Sequence, residues 1–325
     1  VPERAAREMG MPWVSTGDWE VNSALWGALH RVSSNPATLR VGPRTGNVLG
    51  VQLKDLDLRT DGIVSGPPCP PFSAIGKRLG ECDVRSCVFL TVCAWIIHLA
   101  VHGDLTWFVL ENVEGITSKR KHDSASFADW FLAEMMRDLP SGWSIRVVPH
   151  NSKMCLLPQS RPRVFFVGMS ESLQSTRRLR RISSQPPFAW PPVKLIDFLD
   201  LQPCATDWER LSTRQQVNVL EQLQKFLLTS SENEGQDVAV ADIARDPLRP
   251  YDSSVAVDST HTLRRNSAHL WLLPSARLSE KLGPKGRLLS RSEKCRAAGI
   301  VPETLSSLTD FELDFAIGNT IPVPL

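Results

Sequence analysis

One cysteine lies in a setting that suits nucleophilic chemistry. Cys69 follows the apolar run 62–65, which predicts a strand, and stands in the segment Ser65-Gly66-Pro67-Pro68-Cys69-Pro70-Pro71-Phe72-Ser73. Proline fixes φ and reduces the entropy of a loop, so this loop would hold a thiolate on a defined trajectory. A lone Pro-Cys pair is more typical of a structural cysteine, but the whole segment after a strand favours a nucleophile for covalent catalysis.

Polar groups also stand at the ends of two other predicted strands. Glu111-Asn112-Val113 follows the apolar run 107–110, and Gln159-Ser160-Arg161-Pro162-Arg163 precedes the apolar run 164–168. A carboxyl group can share a proton with a substrate, and arginines bind anionic oxygens. An ordinary strand-end carboxylate and a surface Arg-Pro-Arg are the alternatives that these residues alone leave open.

The elements that would position these residues alternate between strand and helix. Strands are predicted at 13–15, 62–65, 107–110, 143–148 and 163–168, and helices at 22–32, 83–101 and 124–139. This alternation predicts an α/β fold with a mostly parallel sheet covered on both faces. Ligands bind such sheets at the carboxyl ends of the strands, so Cys69, Glu111 and Arg163 are expected to converge on one cleft.

The character of the chain changes after Gly168. A segment with four prolines, 183–193, reads as a linker, and a smaller lobe is expected at 185–285, between a catalytic lobe at 1–184 and a C-terminal part at 286–325 that returns to it. Helices are predicted at 209–228 and 290–298, the latter ending at Gly299, and 258–274 reads as extended.

Composition restricts the function classes further. The 325 residues carry a net charge of only +2, and the arginine cluster at 177–181 is either a phosphate-binding patch or a solvated loop. The seven cysteines form no Cys-x-x-Cys pair, so no metal site is expected, and a reducing compartment is expected instead. No apolar run is long enough to predict a membrane span.

Five segments in order resemble the cytosine carbon-5 DNA methyltransferase family. The Cys69 loop, Glu111-Asn112-Val113 and Gln159–Arg163 are similar to the family's nucleophile, Glu-Asn-Val and Gln-x-Arg-x-Arg elements. The penultimate motif of the family is matched by the spacing of Arg287, Leu289, Glu293, Arg296 and Gly299. The final motif is matched by the segment Ala316–Leu325. The resemblance implies a Rossmann-like sheet that binds S-adenosyl-L-methionine, together with a smaller target-recognition lobe.

The resemblance also implies roles for single residues. Cys69 would attack carbon 6 of cytosine, Glu111 would supply a proton or hydrogen bond at N3, Arg163 would contact the ring oxygen, and Arg161 would lie nearer the backbone phosphate. Further substrate contacts are expected from Pro68, Ser73, Asn112, Gln159 and Arg264. Arg264 and Arg265 follow Thr262-Leu263, a pair common near the end of the recognition region, and a surface strand edge is their alternative.

The cofactor side resembles the family less completely. Asp18 and Trp19 match the residues that hold the ribose and adenine, with Glu20 as an alternative acid, and Asn47 stands where the family has an aspartate. Pro67 and Asn319 are assigned to the same side. No Phe-x-Gly-x-Gly loop precedes residue 13, so the chain is expected to be truncated and weak in cofactor binding.

The predicted function is therefore methylation of cytosine in double-stranded DNA by a monomer. A transfer-RNA methyltransferase of the same family is the first alternative, although Phe72-Ser73-Ala74 favours DNA. A catalytically impaired module that binds nucleic acid is the second. The expected location is the nucleus in a eukaryote and the cytoplasm otherwise.

Overall fold

Two compact units make up the protein. The first comprises Val1–His150 and Pro162–Gln185, and the second comprises Asn151–Arg161 and Pro186–Leu325. The computed structural model describes residues 49, 51–69, 71–72, 86–119, 124–155, 157–174, 193–202, 206–230, 236–244, 255–264 and 269–319. The strand and helix predicted within 13–32 lie outside these residues.

Within the described residues, the sheet of the first unit has four strands in the order β1-β2-β4-β3. Its strands are β1 Gly62–Ser65, β2 Trp107–Asn112, β3 Ser144–Asn151 and β4 Pro162–Met169. The four predicted strands that fall in the described residues are confirmed, but one of them, β4, is not parallel to its neighbour β2. β1 and β2 are parallel, whereas β4 runs antiparallel to β2. The connection between β3 and β4 is too short for the crossover that parallel neighbours require, so β4 reverses direction.

Two long helices complete the core of the first unit. The helices are α1 Ser86–His102, α2 Phe127–Asp138 and the single turn α3 Glu171–Gln174, and 3-10 turns occupy Leu53–Asp55 and Glu114–Thr117. The α2 helix begins at Ser126, whose hydroxyl accepts from the Asp129 N–H while the Asp129 carboxylate accepts from the Ser126 N–H. Fully buried aromatic side chains from both helices and the sheet form one cluster, including Phe89, Phe108, Phe131 and Phe166.

The second unit contains an antiparallel sheet with apolar contacts on both faces. Its order is β6-β5-β7-β8, with β5 Val238–Asp242, β6 Val255–Val257, β7 Leu270–Pro274 and β8 Arg287–Leu288. Alternate residues of β5 and β7 enter two different clusters. One of these clusters includes Val219, Leu223 and Phe226 of the helix Thr213–Ser230. Because both faces are covered, these strands read as continuous apolar runs rather than as alternating ones.

The helix predicted at 209–228 is two helices, α4 Thr206–Glu209 and α5 Thr213–Ser230. The remaining helices are α6 Ser279–Leu282, α7 Arg291–Ala297 and α8 Asp310–Asn319, and 3-10 turns occupy Ser152–Cys155, Leu195–Phe198, Ala276–Leu278 and Pro302–Leu305. The predicted helix end at Gly299 is confirmed, because that residue has a φ of 75° in the left-handed region.

The C-terminal part, residues 286–325, packs against the second sheet. This packing differs from the predicted domain boundary at 285/286, which assigned these residues to the catalytic lobe. Strand β8 pairs with β7, and Leu313 and Ile317 of α8 lie in the same cluster as Leu270 and Leu272 of β7. The buried pair Arg287 and Glu293, with Nη2 and Oε1 2.6 Å apart, fastens β8 to α7. These contacts group residues 286–325 with the sheet that precedes them.

A second buried ion pair joins the last two helices and leads to a prediction about stability. Lys294 Nζ lies 2.9 Å and 3.2 Å from the two carboxylate oxygens of Asp314, and both side chains are about one-tenth exposed. Asp314→Asn should lower the free energy of unfolding by about 3–5 kcal/mol, because it leaves a buried ammonium group without its counter-charge. Urea denaturation would measure this loss.

Asp310→Asn is the matched control, because Asp310 also pairs with an α7 residue, Arg291, but is 89% exposed. Exposed ion pairs contribute little, so this variant should unfold near the wild-type midpoint. Equal losses for the two variants would show that burial does not determine the effect.

Candidate active site

The Cys69 loop is anchored to the core of the first unit immediately after the cysteine. The N–H of Phe72 donates to the Cys69 carbonyl at 3.0 Å and closes a turn. The Phe72 ring is buried against Phe89 and Phe127, with centroid separations of 6.4 Å and 4.7 Å. The aromatic contacts therefore restrict the loop that carries the thiol.

Cys69 differs from the other cysteines whose side chains are described. Cys87, Cys93 and Cys295 are buried, whereas Cys69 is half-buried. Burial raises the pKa of the Cys93 thiol well above its usual value and raises that of Cys295 as well, which keeps both protonated. Among the described cysteines, Cys69 is the one whose thiol a substrate could reach.

A second anchor joins this loop to the end of β2. Asn112 is fully buried, and its Nδ2 donates to the Pro67 carbonyl at 3.4 Å. Its Oδ1 accepts from the Val113 N–H at 2.9 Å. Asn112 therefore acts as a brace between the two segments, and its predicted contact with substrate stays a prediction.

The two segments also approach each other through their backbones. A side-chain carbon at Gly115 would overlap the Phe72 carbonyl oxygen, so this approach requires glycine. Gly115 was not among the site residues predicted from the sequence, although a glycine three residues after Asn112 can mark a close approach of two backbones.

Glu111 and Arg163 form an ion pair next to this brace. Arg163 Nε lies 2.6 Å from Glu111 Oε1, and the two side chains are 8% and 11% exposed. The antiparallel register places Asn112 opposite Val164, so the start of β4 meets the end of β2. The predicted convergence of Glu111 and Arg163 is thus confirmed, and the unexpected direction of β4 produces it.

The segment before β4 makes its contacts within the second unit. Gln159 forms a bridge to Thr260, and the Ser160 N–H donates to the Thr260 carbonyl at 3.0 Å. Gln159 is 1% exposed, and among the described residues its Nε2 has no hydrogen-bond partner. Its predicted contact with substrate stays a prediction.

Arg161, for which the resemblance implies a contact near the backbone phosphate, is buried and bonded within the second unit. Its side chain is 3% exposed. Nη1 donates to the Leu263 carbonyl at 3.0 Å, and Nη2 donates to the Gly318 carbonyl at 3.1 Å. These bonds connect Leu263 to Gly318 in helix α8, so the Arg161 side chain holds the two segments together.

Arg161→Gln tests this assignment against a phosphate contact. The variant should unfold at lower denaturant concentration, because hydrogen bonds to a charged group contribute about 1.5–3 kcal/mol each. It should leave the salt dependence of DNA affinity unchanged, whereas loss of a phosphate contact would reduce the slope by roughly one. A reduced slope without loss of stability would favour the phosphate contact instead.

Several predicted site residues lie outside the described part of the chain. Asp18, Trp19, Glu20, Asn47, Ser73 and Arg265 are among them. Pro67 is buried and Pro68 is half-buried in the Cys69 loop, and Asn319 ends helix α8. Arg264 forms an ion pair with Asp242. Asp242 could not be predicted as a site residue, because a carboxylate at the end of a strand resembles an ordinary turn residue in sequence.

The family model for C-5 cytosine-specific DNA methylase matches residues 43–325. The chain belongs to that family. A type II methyltransferase, M.DdeI of Desulfomicrobium norvegicum, is 31% identical over 170 residues, which cover 51% of this chain and 37% of the relative. M.NgoBV of Neisseria gonorrhoeae is 32% identical over 113 residues, which cover 34% of this chain and 26% of the relative. The matched parts thus span about a third of these relatives.

The solved structure of the Dnmt2 methyltransferase of S. pombe aligns with 86% of this chain and 80% of its own, at 18% identity and a TM-score of 0.46. Membership of the C-5 cytosine-specific DNA methylase family confirms the predicted fold class, the α/β, Rossmann-like fold of S-adenosylmethionine-dependent methyltransferases.

The methyl donor of the C-5 cytosine-specific DNA methylase family is S-adenosyl-L-methionine. The described groups fit a reaction that uses such a donor, since a thiol, a carboxylate and a guanidinium can activate a base but cannot supply a methyl group. Among the described residues, no group of three or more potential metal ligands occurs. No helix in that part of the chain is long and apolar enough to cross a bilayer.

Proposed function

We propose that this protein methylates carbon 5 of cytosine in double-stranded DNA. The observation that carries the proposal is the connection of the Cys69 loop, through Asn112, to the strand end that bears the Glu111–Arg163 ion pair. A thiol in a restrained loop, connected to the strand end that carries a buried carboxylate and guanidinium, suits addition to an electron-poor ring. Membership of the C-5 cytosine-specific DNA methylase family supports the same chemistry.

In the proposed reaction, the Cys69 thiolate adds to carbon 6 of cytosine. The 5,6 double bond breaks, and its electrons make carbon 5 nucleophilic while negative charge develops at N3. Bound S-adenosylmethionine would supply the electrophilic methyl group that carbon 5 takes up, and S-adenosylhomocysteine would leave. Loss of the proton from carbon 5 and expulsion of the thiolate restore the double bond.

Glu111 would share a proton with N3 as charge develops there, and Arg163 would hold the carboxylate and contact the ring oxygen. Both groups are preorganised by their ion pair. Pro67, Asn319, Asp18, Trp19 and Asn47 would hold the cofactor. Arg161 would act by positioning neighbouring segments rather than by touching substrate.

The substrate geometry requires the cytosine to leave the duplex, because carbon 6 is inaccessible to a thiolate within stacked DNA. We expect a monomer, which would act in the nucleus if the organism is a eukaryote and in the cytoplasm otherwise.

Two assays test the proposal. Transfer of labelled methyl from S-adenosylmethionine should label duplex DNA and not transfer RNA. Release of tritium from [5-³H]cytosine in DNA, measured without cofactor, should report addition of the thiolate by itself. Labelling of RNA instead of DNA would favour the alternative substrate, and absence of both signals from DNA would contradict the proposal.

A further inference from the structure

Two histidines stand one helical turn apart at the C-terminal end of helix α1. His98 and His102 have ring centroids 4.8 Å apart, and their ring planes are inclined at 51° to each other. His98 is half-buried and His102 is exposed. Side chains four residues apart project from the same face of a helix, so both imidazoles can approach one ligand from the same side.

The separation of the two rings suits coordination of a single metal ion. An imidazole nitrogen binds Zn²⁺ at about 2.0–2.1 Å, and the same spacing of two histidines on a helix is used in zinc sites. Two imidazoles whose bonds to one ion meet at about 90–109° would have centroids roughly 4.5–5.2 Å apart. The observed separation of 4.8 Å falls within this interval, so the rings need little movement to bind an ion.

The backbone that carries the pair is held in place. The Gly103 N–H donates to the Leu99 carbonyl at 3.0 Å, and the Asp104 N–H donates to the Leu58 carbonyl at 2.8 Å. Leu99 is buried in the core of the first unit. Because these contacts fix the end of the helix, binding of an ion would order only side chains, and the loss of entropy would be small.

The end of a helix also favours a cation electrostatically. His102 is the last residue of α1. The carbonyl groups of the last helical turn carry partial negative charge, which stabilises positive charge placed near them. An imidazole that binds an ion through one ring nitrogen can still form a hydrogen bond through the other, so the site is compatible with further contacts of either ring.

We propose that His98 and His102 bind one divalent transition-metal ion of the class of Zn²⁺, Ni²⁺ or Cu²⁺, with water at the remaining positions. Imidazole nitrogen suits these ions, whereas Mg²⁺ and Ca²⁺ prefer oxygen ligands. The expectation of no metal site came from the spacing of cysteines, which does not detect a pair of histidines. The ion would stabilise the folded protein, because the unfolded chain does not hold the two rings together.

Calorimetric titration of the complete, untagged protein with Ni²⁺ tests the inference, and urea denaturation with and without Ni²⁺ gives a second readout. The wild type should bind one Ni²⁺ at this site and should unfold at a higher urea concentration when Ni²⁺ is present. His98→Gln and His102→Gln should each weaken this binding by at least about tenfold, since loss of a direct ligand costs no less than loss of an outer-shell partner. Mg²⁺ should not raise the unfolding midpoint.

His150→Gln is the matched control, because His150 is also a half-buried histidine of the first unit, in strand β3. It should bind Ni²⁺ as tightly as the wild type. His102 is exposed, so His102→Gln should unfold near the wild-type midpoint without metal, and its weaker binding would not reflect misfolding. Wild-type affinity for Ni²⁺ in His98→Gln or His102→Gln would overturn the inference, and so would an equal loss in His150→Gln.

Discussion

Replacing Cys69 by serine is expected to reduce methyl transfer to DNA by at least roughly a thousandfold, as removal of a nucleophile commonly does. A serine hydroxyl is scarcely ionised near neutral pH, so it cannot add to carbon 6 as a thiolate does. The variant should still bind DNA and should fold, because Cys69 is half-buried and its loop is held by Phe72 and Asn112. Methyl transfer, tritium release and DNA binding should be measured on the same preparation.

Cys87→Ser is the matched control, since Cys87 is buried in helix α1 and no role in chemistry is assigned to it. Folded Cys87→Ser protein should retain wild-type activity per molecule. A duplex that contains 5-fluorocytosine should trap the wild type at Cys69, because fluorine at carbon 5 prevents the final elimination. A crosslink at another cysteine would contradict the assignment.

Glu111→Gln is expected to slow methyl transfer by about 10²- to 10⁴-fold, which is the usual contribution of a positioned acid or base. Glutamine fills the same space and can still contact Arg163, but it cannot share a proton with N3 of the cytosine. The loss should therefore lie in the maximal rate, with little change in DNA affinity. Single-turnover kinetics would separate these two quantities.

Glu114→Gln provides the comparison for Glu111→Gln, because Glu114 is an exposed carboxylate three residues further along. It should react at the wild-type rate. Similar losses in both variants would indicate a general effect of charge rather than a specific proton transfer. An active Glu111→Gln variant would require another group to stabilise charge at N3.

Much of the first unit could be predicted because its signals are local. Apolar runs identified strands β1 to β4, and the polar residues that follow or precede those runs identified Cys69, Glu111 and Arg163. The ion pair between Glu111 and Arg163 confirms that two of these strand ends meet. Periodicity indicates where a strand ends, and the chemistry in this fold is concentrated at strand ends.

Strand direction and long-range partners could not be predicted in the same way. An apolar run does not reveal whether β4 is parallel or antiparallel to β2. Arg161 looks like a surface arginine in sequence, because its two carbonyl partners lie far away at Leu263 and Gly318. The return of residues 286–325 to the catalytic lobe could not be predicted reliably either, because the apolar residues of α8 do not specify which sheet they cover.

The discontinuous second unit has a consequence for protein engineering. A chimera that exchanged only residues 185–285 with a relative would separate the segment 260–263 from residues 158–161. Those residues lie earlier in the chain and bind the segment through main-chain hydrogen bonds to Thr260. The grafted residues at positions 262 and 263 would then have to form the hydrogen bonds that Thr262 and Leu263 make with Ser160 and Arg161 of the recipient chain. A chimera should therefore acquire the sequence preference of the donor most completely when residues 151–161 are exchanged together with residues 185–285.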